Sequence, residues 1–172
     1  MHNIKPYLPE LFTPPGGNLL YVGARPDAHS WLSELYEVGH KISLLEVWPE
    51  NAKAMRSDNR IRQVITGDVR NVVTALVLFI GIFDIVFWWH GPEHLAREEI
   101  GYILGQLECC ASRLIVCACP WGVYPQGVHA GNPYETHLSY LYPESFLQLG
   151  YEVRTDGEAD KAGSEIVAWK WK

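Results

Sequence analysis

Leu19-Leu20-Tyr21-Val22-Gly23-Ala24 reads as a short buried strand stopped by glycine. Pro26 follows, suited to the first turn of a helix because its missing N–H costs nothing there. Trp31, Leu32, Leu35 and Val38 then recur at helical spacing up to the stop at Gly39. Strand, glycine and amphipathic helix form the unit from which parallel sheets are built.

The same rhythm continues outward. Residues 41–46 predict a second strand and Pro49 opens a short helix running to Met55. Residues 61–65 predict a third strand ending at Thr66-Gly67-Asp68, and a helix through Val72, Val73, Leu76 and Val77 leads to a fourth at 83–88. Gly91-Pro92 is expected to start a long helix through Leu95, Ile100, Ile103, Leu104 and Leu107, ahead of a fifth strand at 114–119. After a brief helix at 143–149, residues 151–154 and 165–169 close the chain as two strands too near for a crossover helix, hence antiparallel.

The pattern predicts an α/β fold: a doubly wound, Rossmann-like, mostly parallel sheet of seven strands, with helices on both faces and an antiparallel hairpin at the end. Residues 1–18, rich in Pro and Gly, read as an N-terminal arm, and 19–172 as a single domain. The stretch 120–142 is too long for a plain connection and is expected to be an acceptor-side loop.

Bulk properties narrow the function. The 172 residues are 48% apolar and 20% charged, an ordinary globular balance. A net charge of −6 and the lack of a basic run argue against nucleic acid. The four cysteines (109, 110, 117 and 119) have neither disulfide-framework nor zinc-ribbon spacing, and point to a reducing, cytoplasmic setting. Residues 72–89, the most hydrophobic stretch, are interrupted by Thr74, Gly81 and Asp84, so no membrane span is expected.

In a doubly wound sheet the ligand crevice lies beyond the carboxyl ends of the strands. Gly23 ends the first strand and lets a ligand approach the backbone. Glu46 ends the second, near the spacing of about 20 residues expected of a carboxylate that accepts from ribose hydroxyls. Asp68 ends the third, where it could accept from an adenine amine.

Tyr21-Val22-Gly23-Ala24, Leu44-Leu45-Glu46-Val47, Thr66-Gly67-Asp68-Val69 and Phe83-Asp84-Ile85-Val86-Phe87, in that order, resemble the first four motifs of class I S-adenosylmethionine-dependent methyltransferases of small-molecule type. The resemblance implies S-adenosylmethionine as cofactor, contacted by Gly23, Ala24, Arg25, Glu46, Val47, Asp68, Val69 and Trp88. It implies methyl transfer to oxygen or nitrogen of a small metabolite or sugar. The first motif departs from the family pattern: Tyr21 stands for the acidic residue, and Arg25 and Asp27 for the later glycines. Arg25 is a candidate partner for the cofactor's carboxylate.

His90-Gly91-Pro92-Glu93-His94 follows the fourth strand. Its letters match an inverted zinc-protease motif, but Gly91-Pro92 breaks the helix that motif needs. The predicted helix start would instead disfavour imidazolium at His90 and His94. His137, from the 120–142 loop, is expected over the same crevice. His94 or His137 is the expected general base, with His90 and Glu93 orienting. Trp88, Trp89, Trp121, Tyr124, Tyr134, Tyr140 and Tyr142 gather near the same strand ends, as in small-molecule sites.

Two other readings compete. One is metal-assisted transfer, with His90, His94, His129 or His137 and nearby carboxylates as ligands; the leading reading assigns no metal. The other is a non-catalytic module that keeps the fold and binds through the crevice. The aromatic surface is compatible with a homodimer.

Overall fold

The computed structural model describes residues 4–26, 31–71 and 82–172. Its strands are β1 (Asn18–Val22), β2 (Lys41–Glu46), β3 (Ile61–Thr66), β4 (Phe83–Trp89), β5 (Ala111–Pro120), β6 (Glu152–Asp156) and β7 (Glu165–Trp171). They form one sheet in the order β3-β2-β1-β4-β5-β7-β6. β1 through β5 pair in parallel, and β7 runs antiparallel between β5 and β6. This is the doubly wound, Rossmann-like sheet expected from the sequence. Its strand order reverses between β1 and β4, which opens the crevice at their carboxyl ends.

Period-two alternation divides the strands between two cores. Leu20, Val22, Val86, Trp88, Ile115, Cys117 and Cys119 face α3 (Arg97–Cys110) through its Ile100, Ile103, Leu104 and Leu107. Leu19, Tyr21, Ile85, Phe87, Trp89, Val116 and Ala118 face the other way. There they meet Leu32 and Leu35 of α1 (Leu32–Glu37) and Met55 of α2 (Pro49–Met55). Trp88 and Trp89 therefore point to opposite sides, and the buried thiols pack as small apolar groups.

The N-terminal arm belongs to the second core. Ile4, Leu8 and Leu11 are buried with Trp31. His40 ties the arm down: its Nε2 donates to the Leu11 carbonyl at 2.8 Å, and its Nδ1 accepts from the Gly17 N–H at 3.0 Å.

The long helix does not begin at Gly91-Pro92. Pro92–His94 form one 3-10 turn, Leu95 and Ala96 are extended, and α3 starts at Arg97. The Glu99 carboxylate explains the later start, since it reaches back to accept the Ala96 N–H at 3.0 Å. Near the other end of the domain, the brief helix is α4 (Glu144–Leu147). The helix expected through Val72, Val73, Leu76 and Val77, and the start of α1 ahead of Trp31, fall outside the described residues.

Candidate active site

A cavity of about 560 Å³ opens at the carboxyl ends of β1, β2, β3 and β4, under the loop that follows β5. Gly23, Ala24, Arg25, Glu46, Val47, Asp68, Val69, Trp88, His90, Glu93, His94 and His137 all line it. Residues from four separate strand ends and a distant loop thus share one recess.

Gly23 sits at φ +68, and a Cβ built there would meet nothing within 4 Å. The glycine is demanded by backbone conformation, and the space above it is open to a ligand. Tyr21, in the place of an acidic residue, is buried with its ring edge against Phe87 at 5.0 Å. Burial raises its phenol well above the usual range, so it contributes a neutral group.

Glu46 is only 3% exposed, and one of its oxygens accepts the Trp48 N–H at 2.8 Å. Burial, aided by the nearby Glu135 charge, pushes its carboxyl up to about 7 against the relief given by that N–H. The Asn51 amide and the Arg25 charge ease it further, and its hydrogen-bond donors remain few.

Asp68 is not short of them. Its oxygens accept the Arg70 N–H at 2.9 Å, the Arg70 Nε at 3.0 Å and Nη2 at 2.5 Å. Burial works against its charge, but the guanidinium prevails and holds the carboxyl below its ordinary value. An adenine amine at this carboxylate would have to share it with Arg70. Arg25 spans the mouth of the cavity, its Nη1 2.9 Å from Glu135 Oε2. The residue where the motif has glycine thus links the turn after β1 to the loop after β5. Asp27 lies outside the described residues.

On the far side, His90 occupies φ +51 and sits between two buried carboxylates. Its Nδ1 is 3.2 Å from Glu93 Oε1 and its Nε2 2.7 Å from Glu165 Oε1. Burial opposes a charge on the ring, but Glu165 and Glu93 outweigh it and push the imidazolium up to about 10. The expectation of a neutral His90 is therefore corrected: there is no long helix at its side to repel a cation, and two acceptors demand two donors. Glu93 in turn stays ionised, burial being overcome by His90. One oxygen of Glu93 and one of Glu165 are buried without a hydrogen-bond partner among the described residues.

His94 and His137 differ from His90. His94 Nδ1 lies 3.2 Å from the Thr136 carbonyl, and His137 Nδ1 lies 2.6 Å from the Tyr124 carbonyl. A carbonyl can only accept, so each Nδ1 carries the proton, and in the neutral ring each Nε2 is a lone pair. Burial lowers the His137 pKa and favours that form. The two rings lie 5.0 Å apart at 70°. The loop is fixed over them by the Glu93 carbonyl, which accepts the Leu138 and Ser139 N–H groups at 2.8 and 3.1 Å.

Three residues of this site have roles that the sequence did not single out. Arg70 and Glu135 are ordinary charges until the fold brings them to Asp68 and Arg25. Glu165 opens a strand, and only its register opposite Pro120 brings it to His90. His129, a candidate metal ligand, does not line this cavity; it borders a smaller recess with Trp48 and Asn51.

No family model matches the sequence, and no curated protein matches it. Solved structures do. The 1,6-didemethyltoxoflavin-N1-methyltransferase of Burkholderia thailandensis, with 1,6-didemethyltoxoflavin and S-adenosylhomocysteine bound, superposes at TM-score 0.66 and 14% identity, over 96% of this chain and 74% of that one. The N-terminal domain of EvdMO1, with S-adenosylhomocysteine and D-fucose, gives 0.65 and 20%, over 97% and 80%. A Rhodobacter sphaeroides protein named as a candidate zinc-dependent alcohol dehydrogenase gives 0.65 and 12%, over 96% and 87%. The likeness establishes the fold. The chemistry rests on the cavity.

Proposed function

We propose that this chain, which carries the Rossmann-like fold of S-adenosylmethionine-dependent methyltransferases, binds S-adenosylmethionine and methylates an oxygen or nitrogen of a small molecule. The observation that carries the reading is the meeting of Gly23, Glu46 and Asp68 in one recess large enough for a nucleoside. The cofactor fits the groups present: the space above Gly23 is open, and the buried Glu46 carboxylate, with few protein donors, can accept from ribose hydroxyls. Ala24, Val47, Val69 and Trp88 supply apolar lining.

When bound, the cofactor supplies an electrophilic methyl group. The chain's own work is to align an acceptor, exclude water and take a proton. The 120–142 loop covers the recess, held by the Arg25–Glu135 pair and by the Glu93 carbonyl. In the metal-free protein, Nε2 of His137 or His94 takes the acceptor's proton. His90 is removed from that role by its two carboxylates and serves to hold Glu93 in place. The 1,6-didemethyltoxoflavin and D-fucose of the structural neighbours make a small polar acceptor the class to test first.

The test is thermal unfolding and calorimetry with S-adenosylmethionine, followed by methyl transfer to a panel of small hydroxyl and amine compounds. Saturation at 100 times the dissociation constant should add about 2.7 kcal/mol of stability. His94→Ala and His137→Ala should leave cofactor binding intact, and at least one should lower kcat by about 100-fold or more. A melting curve unmoved by the cofactor would return the chain to the non-catalytic reading.

A further inference from the structure

We infer that Glu93, His94 and His137 form a binding site for a divalent transition-metal ion, of which Zn²⁺ is the best fitted. Each offers one ligand atom, and the three atoms lie within 4.8 Å of one another, on the wall of the cavity. Two imidazoles and a carboxylate are the donor set of an open, tetrahedral zinc position, with the remaining place facing the ligand space.

Three independent features suit the trio to an ion. The first is tautomer. Metal-binding histidines use a neutral ring nitrogen while the other nitrogen donates to a carbonyl or carboxylate. The Thr136 and Tyr124 carbonyls fix both Nδ1 protons here and turn both Nε2 lone pairs loose. The second is Glu93 itself. It is 2% exposed, its Oε1 is held by His90, and its Oε2 is buried with no hydrogen-bond partner among the described residues. A buried carboxylate with one oxygen left undonated is costly, and a cation on the group, at Oε1 beside His94 Nε2, relieves its charge. The third is the scale of closure. Donors on one zinc ion at about 2.0–2.2 Å stand roughly 3.3 Å apart. His94 Nε2 is 4.0 Å from Glu93 Oε1 and the three ligand atoms lie within 4.8 Å of one another, so side-chain shifts of about 1–1.5 Å bring the three donors onto one ion.

The inverted-motif spelling His90-Gly91-Pro92-Glu93-His94 gains a physical sense this way. The 3-10 turn, not a helix, brings Glu93 and His94 together, the second histidine comes from the loop, and His90 stands behind Glu93 as its orienting donor. The ion's use in methyl transfer rests on the proposed function; its binding does not. With the ion in place the two Nε2 lone pairs are occupied, and an acceptor's heteroatom would meet the open coordination position instead of a free base.

The experiment uses the full chain, stripped with a chelator, and titrates Zn²⁺ alone by calorimetry, with Co²⁺ absorption reporting coordination geometry. One ion per chain is expected. His94→Ala and His137→Ala should each weaken it by about 100-fold, and His129→Ala should leave it unchanged. Glu93→Gln serves as the carboxylate variant, and circular dichroism of each apo variant checks folding. Equal affinity in the wild type and the folded His94→Ala/His137→Ala double variant would overturn the site. S-adenosylmethionine is titrated separately into the stripped protein, so loss of cofactor binding with zinc binding retained would strike the methyltransferase reading and spare this one.

Discussion

Glu46 places a carboxylate under the cavity, buried and eased by the Trp48 N–H, the Asn51 amide and Arg25, and its titration follows from the burial. Its carboxyl moves from an ordinary 4.5 to about 7 because burial disfavours the charged form. A raised acid is easier to ionise in the unfolded chain, so stability falls as pH climbs from 4.5 to about 7 and is level above. The difference amounts to about 3 kcal/mol. Glu46→Gln should therefore stabilise the free protein at pH 8 and change little at pH 4, as urea unfolding at both values would register. Ligand hydroxyls donating to this side chain select its ionised form, so cofactor affinity should tighten about tenfold between pH 6 and 8 in the wild type, and remain flat in Glu46→Gln. Glu46 and Gly23 were legible because each is a strand-terminal residue of the required type. The occupation of Asp68 by Arg70 was not, since two residues of opposite charge close in sequence bond only when the turn between them folds back.

At the level of elements, the loop from β5 to α4 is governed by contacts that local pattern does not encode. Asp160 is the clearest case. From the turn between β6 and β7 its Oδ1 accepts the Val123 N–H at 2.6 Å and the Tyr142 hydroxyl at 2.9 Å, and its own N–H donates to the Trp121 carbonyl at 3.0 Å. One side chain thus anchors both ends of the cavity's cover. Asp160→Ala should raise the rate of proteolytic nicking within 120–142 several-fold while the core keeps its far-ultraviolet dichroism, a contrast that limited proteolysis with mass mapping would reveal. The sheet itself could be read because its strands, buried on both faces, are short, nearly unbroken apolar runs set between stretches of helical spacing. The start of α3 could not, because the Glu99 carboxylate decides it from inside the helix.

Across the whole molecule, the arm that reads in sequence as a Pro-rich lead-in is part of the packed interior. Ile4, Leu8 and Leu11 are at most 1% exposed, and His40 links the Leu11 carbonyl to the first residues of the sheet. Leu8→Ala should cost about 2–5 kcal/mol, the range for a fully buried leucine, measured as a lower urea midpoint with unchanged slope. A surface arm would lose almost nothing. Composition gave no warning: the three residues keep a helical spacing (4, 8, 11), but Pro6 and Pro9 interrupt it, so the stretch reads as an arm. Their burial is a property of the tertiary fold. No helix among the described residues is long and apolar enough to cross a membrane.

Gly91 sits where a Cβ would fall 1.6 Å from the Trp88 indole nitrogen. In a saturation library of this pocket, position 91 should return as an empty column. Every other letter would either eject the indole or unseat the turn that carries Glu93. Efforts to widen the acceptor range would do better to begin from the far wall and leave that hydrogen atom alone.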